Sequence, residues 1–202
     1  IAAAGTSLEF IQRVNELVSS FGADVIVDDL GFYGEPYFAD GPIAEAVAAV
    51  ADDVLFVSSA GNSAHLHYEA DYSGGNFNFT GIPIELHDFG RSAGQFSDPS
   101  MDVVLAPDEY FFAILQWNDR YGSSANDYDL YLADQSETIV IDASLELQTG
   151  WNSDPIEWIC YHNSSSGNRV VKLGVNRLEG ANKRIELFVL GGNINTEYNI
   201  SS

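Results

Sequence analysis

The feature that most limits how this chain folds is a change of hydrophobic period near residue 75. Before it, apolar residues recur at the spacing of a helix or gather in short runs rich in β-branched residues. After it, the helical period disappears and turn residues separate short alternating or apolar runs. The change predicts two domains of different fold class, residues 1–75 and residues 76–202, with the stretch SGGNFN (73–78) as the hinge.

The first domain is predicted to be an α/β segment with a partial parallel sheet. Its pattern gives four elements in the order helix, strand, helix, strand, at about residues 7–21, 23–30, 42–51 and 53–59. Both strands are short apolar runs, which suits strands buried on both faces. Ligands of parallel sheets gather at the carboxyl ends of the strands, where Leu30-Gly31 and Ala60-Gly61-Asn62 fall.

The second domain is predicted to be an all-β, jelly-roll-like sandwich. About seven or eight strands follow one another at the spacing typical of antiparallel sandwiches. The runs that predict them are IPIELHDF, EYFFAILQW, YDLYLA, TIVIDASLEL, IEWICYH, RVVKLGV and RIELFVLGG.

Charge and composition exclude several classes of function. The formal net charge of −22 argues against a nucleic-acid partner, which calls for clustered Lys and Arg. No apolar run reaches the roughly 18 to 20 residues that span a bilayer, so no membrane partner is expected. Cys160 is the one cysteine, so no intrachain disulfide can form. A strongly acidic, soluble chain suits a secreted or extracellular setting.

One long stretch of the first domain carries a family resemblance. The sequence GADVIVDDLGFYGEPYFADGPIAEAVAAVADDVLFVSSAGNSA resembles the middle of a subtilisin-like serine protease, and residues 7–72 carry the match. The resemblance implies that Asn62 is the oxyanion-hole side chain. It also implies that Asp29-Leu30-Gly31 and Ser59-Ala60-Gly61 form the two backbone walls of a substrate pocket. The implied partner is a peptide or protein substrate.

The three catalytic motifs of that family are absent from the chain. Its members carry Asp-(Ser/Thr)-Gly, His-Gly-x-His and Gly-Thr-Ser-Met-Ala, and the Gly-Thr-Ser at residues 5–7 has a different continuation. Thr6 with Glu9 is instead predicted to cap the first helix. We therefore expect an internal segment of a longer secreted endopeptidase whose Asp, His and Ser lie outside this chain, with the β-sandwich as an insert. Alone, the chain is expected to be inactive.

Acidic residues in the second domain suggest a metal site. Asp119, Asp127 and Asp129 lie around a loop that leads into a predicted strand, and carboxylate oxygens at such spacing suit Ca²⁺. Asp residues also cap turns and keep strand edges solvated, so this alternative stays open. His65 and His67 could share a transition metal with Asp71, but incidental histidines are the favoured interpretation.

Two other classes of function stay open. The chain could be a carbohydrate- or protein-binding β-sandwich module attached to a non-catalytic protease remnant, since Trp117, Tyr121, Trp151 and Trp158 are suited to stack on sugar rings. It could also be a degenerate protease relative whose scaffold survives without chemistry.

Overall fold

A computed structural model describes residues 2–198 of the chain. The chain divides into two compact units between Asn62 and Ser63. Among the described residues, no helix is long and apolar enough to cross a membrane.

The first unit contains two helices and two strands. They are α1 (Ser7–Ser19), β1 (Val25–Asp28), α2 (Pro42–Ala48) and β2 (Leu55–Ser58). Thr6 caps α1 by accepting the N–H of Glu9 at 3.2 Å, and Glu9 Oε2 accepts the N–H of Gly5 at 2.7 Å. The small core of the unit is formed by Phe10, Val14, Ile26, Val50 and Val54. β1 and β2 pair in parallel, with Asp28 opposite Ser58 at the end of the pair.

The prediction of an α/β segment as the first part of the fold is wrong. The chain is mostly β-strand in several antiparallel sheets, and β1 and β2 form a separate sheet of only two strands. Neither strand is buried on both faces, because Val25, Val27, Leu55 and Val57 are exposed. The apolar runs indicated strands at the right positions. A parallel α/β sheet also requires cover on both faces, and hydrophobic period alone does not reveal that the cover is missing.

The second unit is built almost entirely from strands. They are β3 (His67–Asp71), β4 (Gly74–Phe79), β5 (Ile82–His87), β6 (Met101–Leu105), β7 (Tyr110–Trp117), β8 (Asp127–Asp134), β9 (Val140–Ser144), β10 (Ile156–His162), β11 (Arg169–Glu179), β12 (Arg184–Gly191) and β13 (Ile194–Thr196). A 3₁₀ helix (Ala64–Leu66) precedes β3, and the short helix α3 (Phe89–Ser92) follows β5.

Two antiparallel sheets form a β-sandwich in this unit. A four-stranded sheet has the order β10-β7-β12-β3, and a five-stranded sheet has the order β13-β6-β11-β8-β9. Alternate residues of both sheets point into one shared core, whose largest members include Trp117, Tyr128, Phe111 and Phe89. The hairpin β4-β5 packs Phe79 and Leu86 against Ala133 and Tyr131 of β8, which point away from that core.

The division of the chain falls earlier than the hinge predicted at residues 73–78. β3 pairs with β12, so residues 67–71 belong to the sandwich. The sequence HYEAD carries few apolar residues, which is why its period did not reveal a strand. That the two units are a catalytic piece and an inserted domain stays a prediction.

Candidate functional site

The carboxyl ends of β1 and β2 bring together two of the predicted site segments. The hydroxyl of Ser58 donates to Asp28 Oδ1 at 3.1 Å, and the N–H of Ser59 donates to the backbone oxygen of Asp28 at 3.2 Å. The N–H of Leu30 donates to the same Asp28 carboxylate at 3.2 Å. The segments 29–31 and 59–61 therefore leave the sheet side by side at one end. In parallel α/β sheets, ligands bind beyond this end of the strands.

Asn62 follows directly on the second of these segments. Gly61 has a φ of +71°, in the left-handed region that favours glycine, so the chain turns sharply at the residue before Asn62. Asn62 is exposed, and its carboxamide hydrogen bonds to no other residue in the described range 2–198. An exposed amide at the end of a strand can donate to an oxygen that is brought to it. Its role as an oxyanion donor stays a prediction.

The three carboxylates predicted to bind calcium do not converge. Asp119 accepts from Lys183 Nζ at 2.7 Å and from the side-chain amide and backbone N–H of Asn126 at 2.7 and 3.1 Å. Burial by itself would raise the pKa of Asp119, but the hydrogen bonds from Lys183 and Asn126 outweigh it and lower the pKa. The Asp119 carboxylate is thus already engaged by donors from the protein.

Asp127 and Asp129 lie on the outward face of β8 and are both buried. Asp127 accepts the N–H of Gln148 at 3.4 Å, and Asp129 accepts the hydroxyl of Tyr131 at 3.1 Å. Burial raises the pKa of both carboxyl groups. Within residues 2–198, neither belongs to a group of three side chains whose ligand atoms meet. The structure gives the calcium assignment no support, and it stays a prediction.

A different set of side chains does meet in the second unit. His67 and Glu69 on β3 and Glu186 on β12 have one ligand atom each, all within 4.8 Å of one another. Glu186 lies directly opposite Glu69 in the strand register, and the Nε2 atom of His67 is 3.9 Å from Glu186 Oε2. These three residues are called the HEE cluster below. Their arrangement on neighbouring strands is suited to hold a metal ion.

Burial shifts the pKa values of His67 and Glu186 in opposite directions. It lowers the pKa of His67, partly offset by the charge of Glu69, so the imidazole is neutral near pH 7. Burial and the charge of Glu69 raise the pKa of Glu186 to about 7. Arg184 binds Glu69 through Nε and reaches Asp71 Oδ1 at 3.4 Å.

His67, for which the sequence suggested His65 and Asp71 as partners, instead meets Glu69 and Glu186. His65 is exposed and belongs to the 3₁₀ helix, so it does not alternate with His67 along a strand. Glu186 was missed because its contact with Glu69 depends on the pairing of β3 with β12. The available signals were the His-x-Glu alternation at residues 67–69 and the single charged residue, Glu186, within the otherwise apolar run IELFVL.

Exposed aromatic side chains lie on the outward face of the four-stranded sheet. Tyr110 and Phe112 on β7 and Trp158 on β10 are 52%, 45% and 61% exposed. Trp117, which the sequence suggested as a sugar-stacking residue, is fully buried in the core.

Comparison with solved structures shows a likeness of fold, and no likeness in sequence was found. No protein-family model matches the chain, and no curated protein matches it in sequence. Among solved structures, the chain resembles the Clostridium perfringens CspB protease with a TM-score of 0.56 and 7% sequence identity. The match covers 98% of this chain and 43% of that one, so the chain spans less than half the length of this neighbour. At this identity the likeness concerns the fold alone.

Proposed function

We propose that this chain is a segment of a secreted, subtilisin-like serine endopeptidase in which Asn62 stabilises the oxyanion formed from the substrate. The catalytic Asp, His and Ser are supplied by polypeptide outside residues 1–202. The substrate is a peptide or protein. The sandwich of residues 63–202 is an accessory domain of the same enzyme.

The observation that carries the proposal is the meeting of segments 29–31 and 59–61 at one end of β1 and β2, with Asn62 following them. An extended peptide placed between two such backbone segments can pair with them as an added strand. The likeness of fold to the CspB protease supports the same interpretation.

The proposed chemistry assigns one step to this chain. A serine hydroxyl from outside the chain attacks the carbonyl carbon of the substrate, and its proton passes to a histidine that is also outside. The carbonyl oxygen then gains negative charge, and the Asn62 carboxamide donates a hydrogen bond to it. Removal of one such donor in subtilisin itself lowers turnover by about 10²–10³-fold, and this known magnitude is the expectation here.

The test uses the natural full-length polypeptide that contains this chain. We expect it to react with a serine-directed fluorophosphonate and to hydrolyse a fluorogenic peptide. Asn62→Ala should lower kcat strongly with little change in KM, because the donor acts on the charge that develops in the transition state. Asn76→Ala, which changes an exposed asparagine on β4, is the matched control and should leave kcat unchanged.

Two results would overturn the proposal. The first is a full-length protein that neither reacts with the fluorophosphonate nor hydrolyses peptides. The second is an active enzyme in which Asn62→Ala and Asn76→Ala have the same kcat as the unmodified protein.

A second candidate function is carbohydrate binding by the sandwich. It is favoured by the exposed rings of Tyr110, Phe112 and Trp158 on the neighbouring strands β7 and β10. Aromatic faces of this kind stack on sugar rings. A glycan array with the unmodified chain and with Trp158→Ala tests it: loss of a specific signal in the variant supports this function, and absence of any signal rejects it.

A further inference from the structure

We propose that the HEE cluster, formed by His67, Glu69 and Glu186, is a binding site for a divalent transition-metal ion of the Zn²⁺ type. The site lies on the outward face of the four-stranded sheet. It belongs wholly to the second unit and does not depend on the peptidase function proposed above.

The geometry of the three side chains is close to that of a metal site. Their ligand atoms already lie within 4.8 Å of one another, and one pair is 3.9 Å apart. In a tetrahedral Zn²⁺ site, bonds of about 2.0–2.1 Å put the ligand atoms about 3.3 Å apart. Binding an ion would bring the ligand atoms closer together, from within 4.8 Å to about this spacing.

Neighbouring residues hold two of the three ligands in place. The ring of Phe188, which faces His67 in the strand register, stacks on the imidazole with centroids 4.5 Å apart and an angle of 17° between the rings. Arg184 binds one oxygen of Glu69 and leaves the other oxygen for an ion. Outer contacts of this kind orient metal ligands in proteins.

Acidic side chains outnumber basic ones at the cluster. Glu69, Glu186 and Asp71 carry three negative charges when ionised, and Arg184 supplies one positive charge against them. Nε2 of His67 is buried, and within residues 2–198 it has no hydrogen-bond partner. A metal ion would take the nitrogen lone pair and neutralise the excess charge at once.

The ligand types decide the class of ion. An imidazole nitrogen with two carboxylates suits Zn²⁺ and related transition ions, whereas Ca²⁺ takes oxygen ligands only. The side chains of His67, Glu69 and Glu186 are 17%, 28% and 16% exposed. Solvent therefore reaches the cluster, and three protein ligands leave a fourth position for water.

The experiment is a titration of the full chain with Zn²⁺ by calorimetry and with Co²⁺ by visible absorption. We expect one ion per chain and the strong visible bands of tetrahedral Co²⁺. His67→Gln and Glu186→Gln should each weaken binding by at least about tenfold, since each removes a ligand while outer contacts alone are worth 10–100-fold. Glu186→Gln keeps the shape of the side chain, so a loss of binding in this variant reflects the loss of a ligand. Circular dichroism checks that the variant is folded.

His65→Gln is the matched control because His65 is an exposed neighbour outside the cluster. It should bind both ions as the unmodified chain does. The proposal is overturned if the unmodified chain binds neither ion, if His67→Gln and Glu186→Gln bind as well as the unmodified chain, or if His65→Gln loses binding. The same calorimetric titration with Ca²⁺ should show no binding at this site. Binding of Ca²⁺ but not of Zn²⁺ would also overturn the proposal.

Discussion

The carboxylate of Glu157 accepts a hydrogen bond from the side-chain amide of Gln148 at 2.9 Å inside the second unit. Glu157 lies on β10 and has no exposed surface. The hydroxyl of Ser144 and the N–H of Glu146 also donate to this carboxylate. Even so, burial raises the pKa of Glu157 to about 7. A buried acid that titrates near neutrality makes the stability of the fold depend on pH.

We expect Glu157→Gln to remove a pH-dependent part of the stability. The folded chain holds the Glu157 proton more tightly than the unfolded chain, whose pKa is near 4.5. The stabilising contribution is therefore complete below pH 4.5 and is lost as pH rises through about 7. A glutamine keeps one acceptor oxygen and can donate to Ser144 Oγ.

Urea unfolding of both proteins between pH 4 and pH 8 measures this effect. The stability of Glu157→Gln relative to the unmodified chain should rise with pH over this window. A difference that stays constant across the window would show that Glu157 does not titrate there.

The sequence predicted local structure well because local structure depends on local period. Thr6 caps α1 as its pairing with Glu9 indicated, and the strands β7, β10 and β12 lie where the apolar pattern indicated. The fold class was wrong because burial of β1 and β2 depends on which elements cover them. The sequence of a short apolar strand such as VIVD does not show whether one or both of its faces are packed against other elements.

The candidate site was predicted in part for the same reason. Asn62 and the segments around it follow strands that the sequence could locate. The HEE cluster requires the register between β3 and β12, which brings residues over 100 positions apart into contact. Asp119 was considered as a calcium ligand because of the spacing of the acidic residues around it. Its ion pair with Lys183 could not be foreseen, because the two residues are distant in sequence.

Asn62→Ala should leave the stability of the chain unchanged. The side chain is exposed, and its carboxamide forms no hydrogen bond with any other residue in the range 2–198. Its removal should therefore alter the free energy of unfolding by less than about 0.5 kcal/mol. Thermal melting of the variant beside the unmodified chain measures this. A clear drop in melting temperature would mean that the Asn62 side chain stabilises the fold and is not free to bind a ligand.

Gly90→Ala should destabilise the second unit. A Cβ atom at this buried position would lie 1.8 Å from the backbone oxygen of Phe96 and 3.0 Å from the backbone nitrogen of Asp98. Backbone must move to make room, which costs about 1–3 kcal/mol or more. Gly167→Ala is the control, since its Cβ would have no atom within 4 Å. Equal unfolding midpoints in urea for the two variants would contradict the close approach at Gly90.

Tyr128→Phe should cost more than its single oxygen atom suggests. The buried hydroxyl donates to the backbone oxygen of Ala181 at 2.9 Å and accepts the N–H of Lys183 at 2.9 Å. Its loss leaves both backbone groups without this partner, at a cost of about 1–3 kcal/mol. Tyr110→Phe, at an exposed tyrosine, should be neutral. Urea unfolding of both variants beside the unmodified chain measures the two changes in free energy. An unchanged free energy of unfolding for Tyr128→Phe would refute the role of the hydroxyl as a bridge between Ala181 and Lys183.

The uncovered side of β1 and β2 couples solubility to ionic strength. An exposed apolar strip on this side is formed by Val25, Val27, Leu55 and Val57. The net charge of −22 makes copies of the chain repel one another. That repulsion reaches about 30 Å at 0.01 M salt but only about 3 Å at 1 M. Concentrated salt therefore removes the barrier that keeps these strips apart, and dilute buffer preserves it.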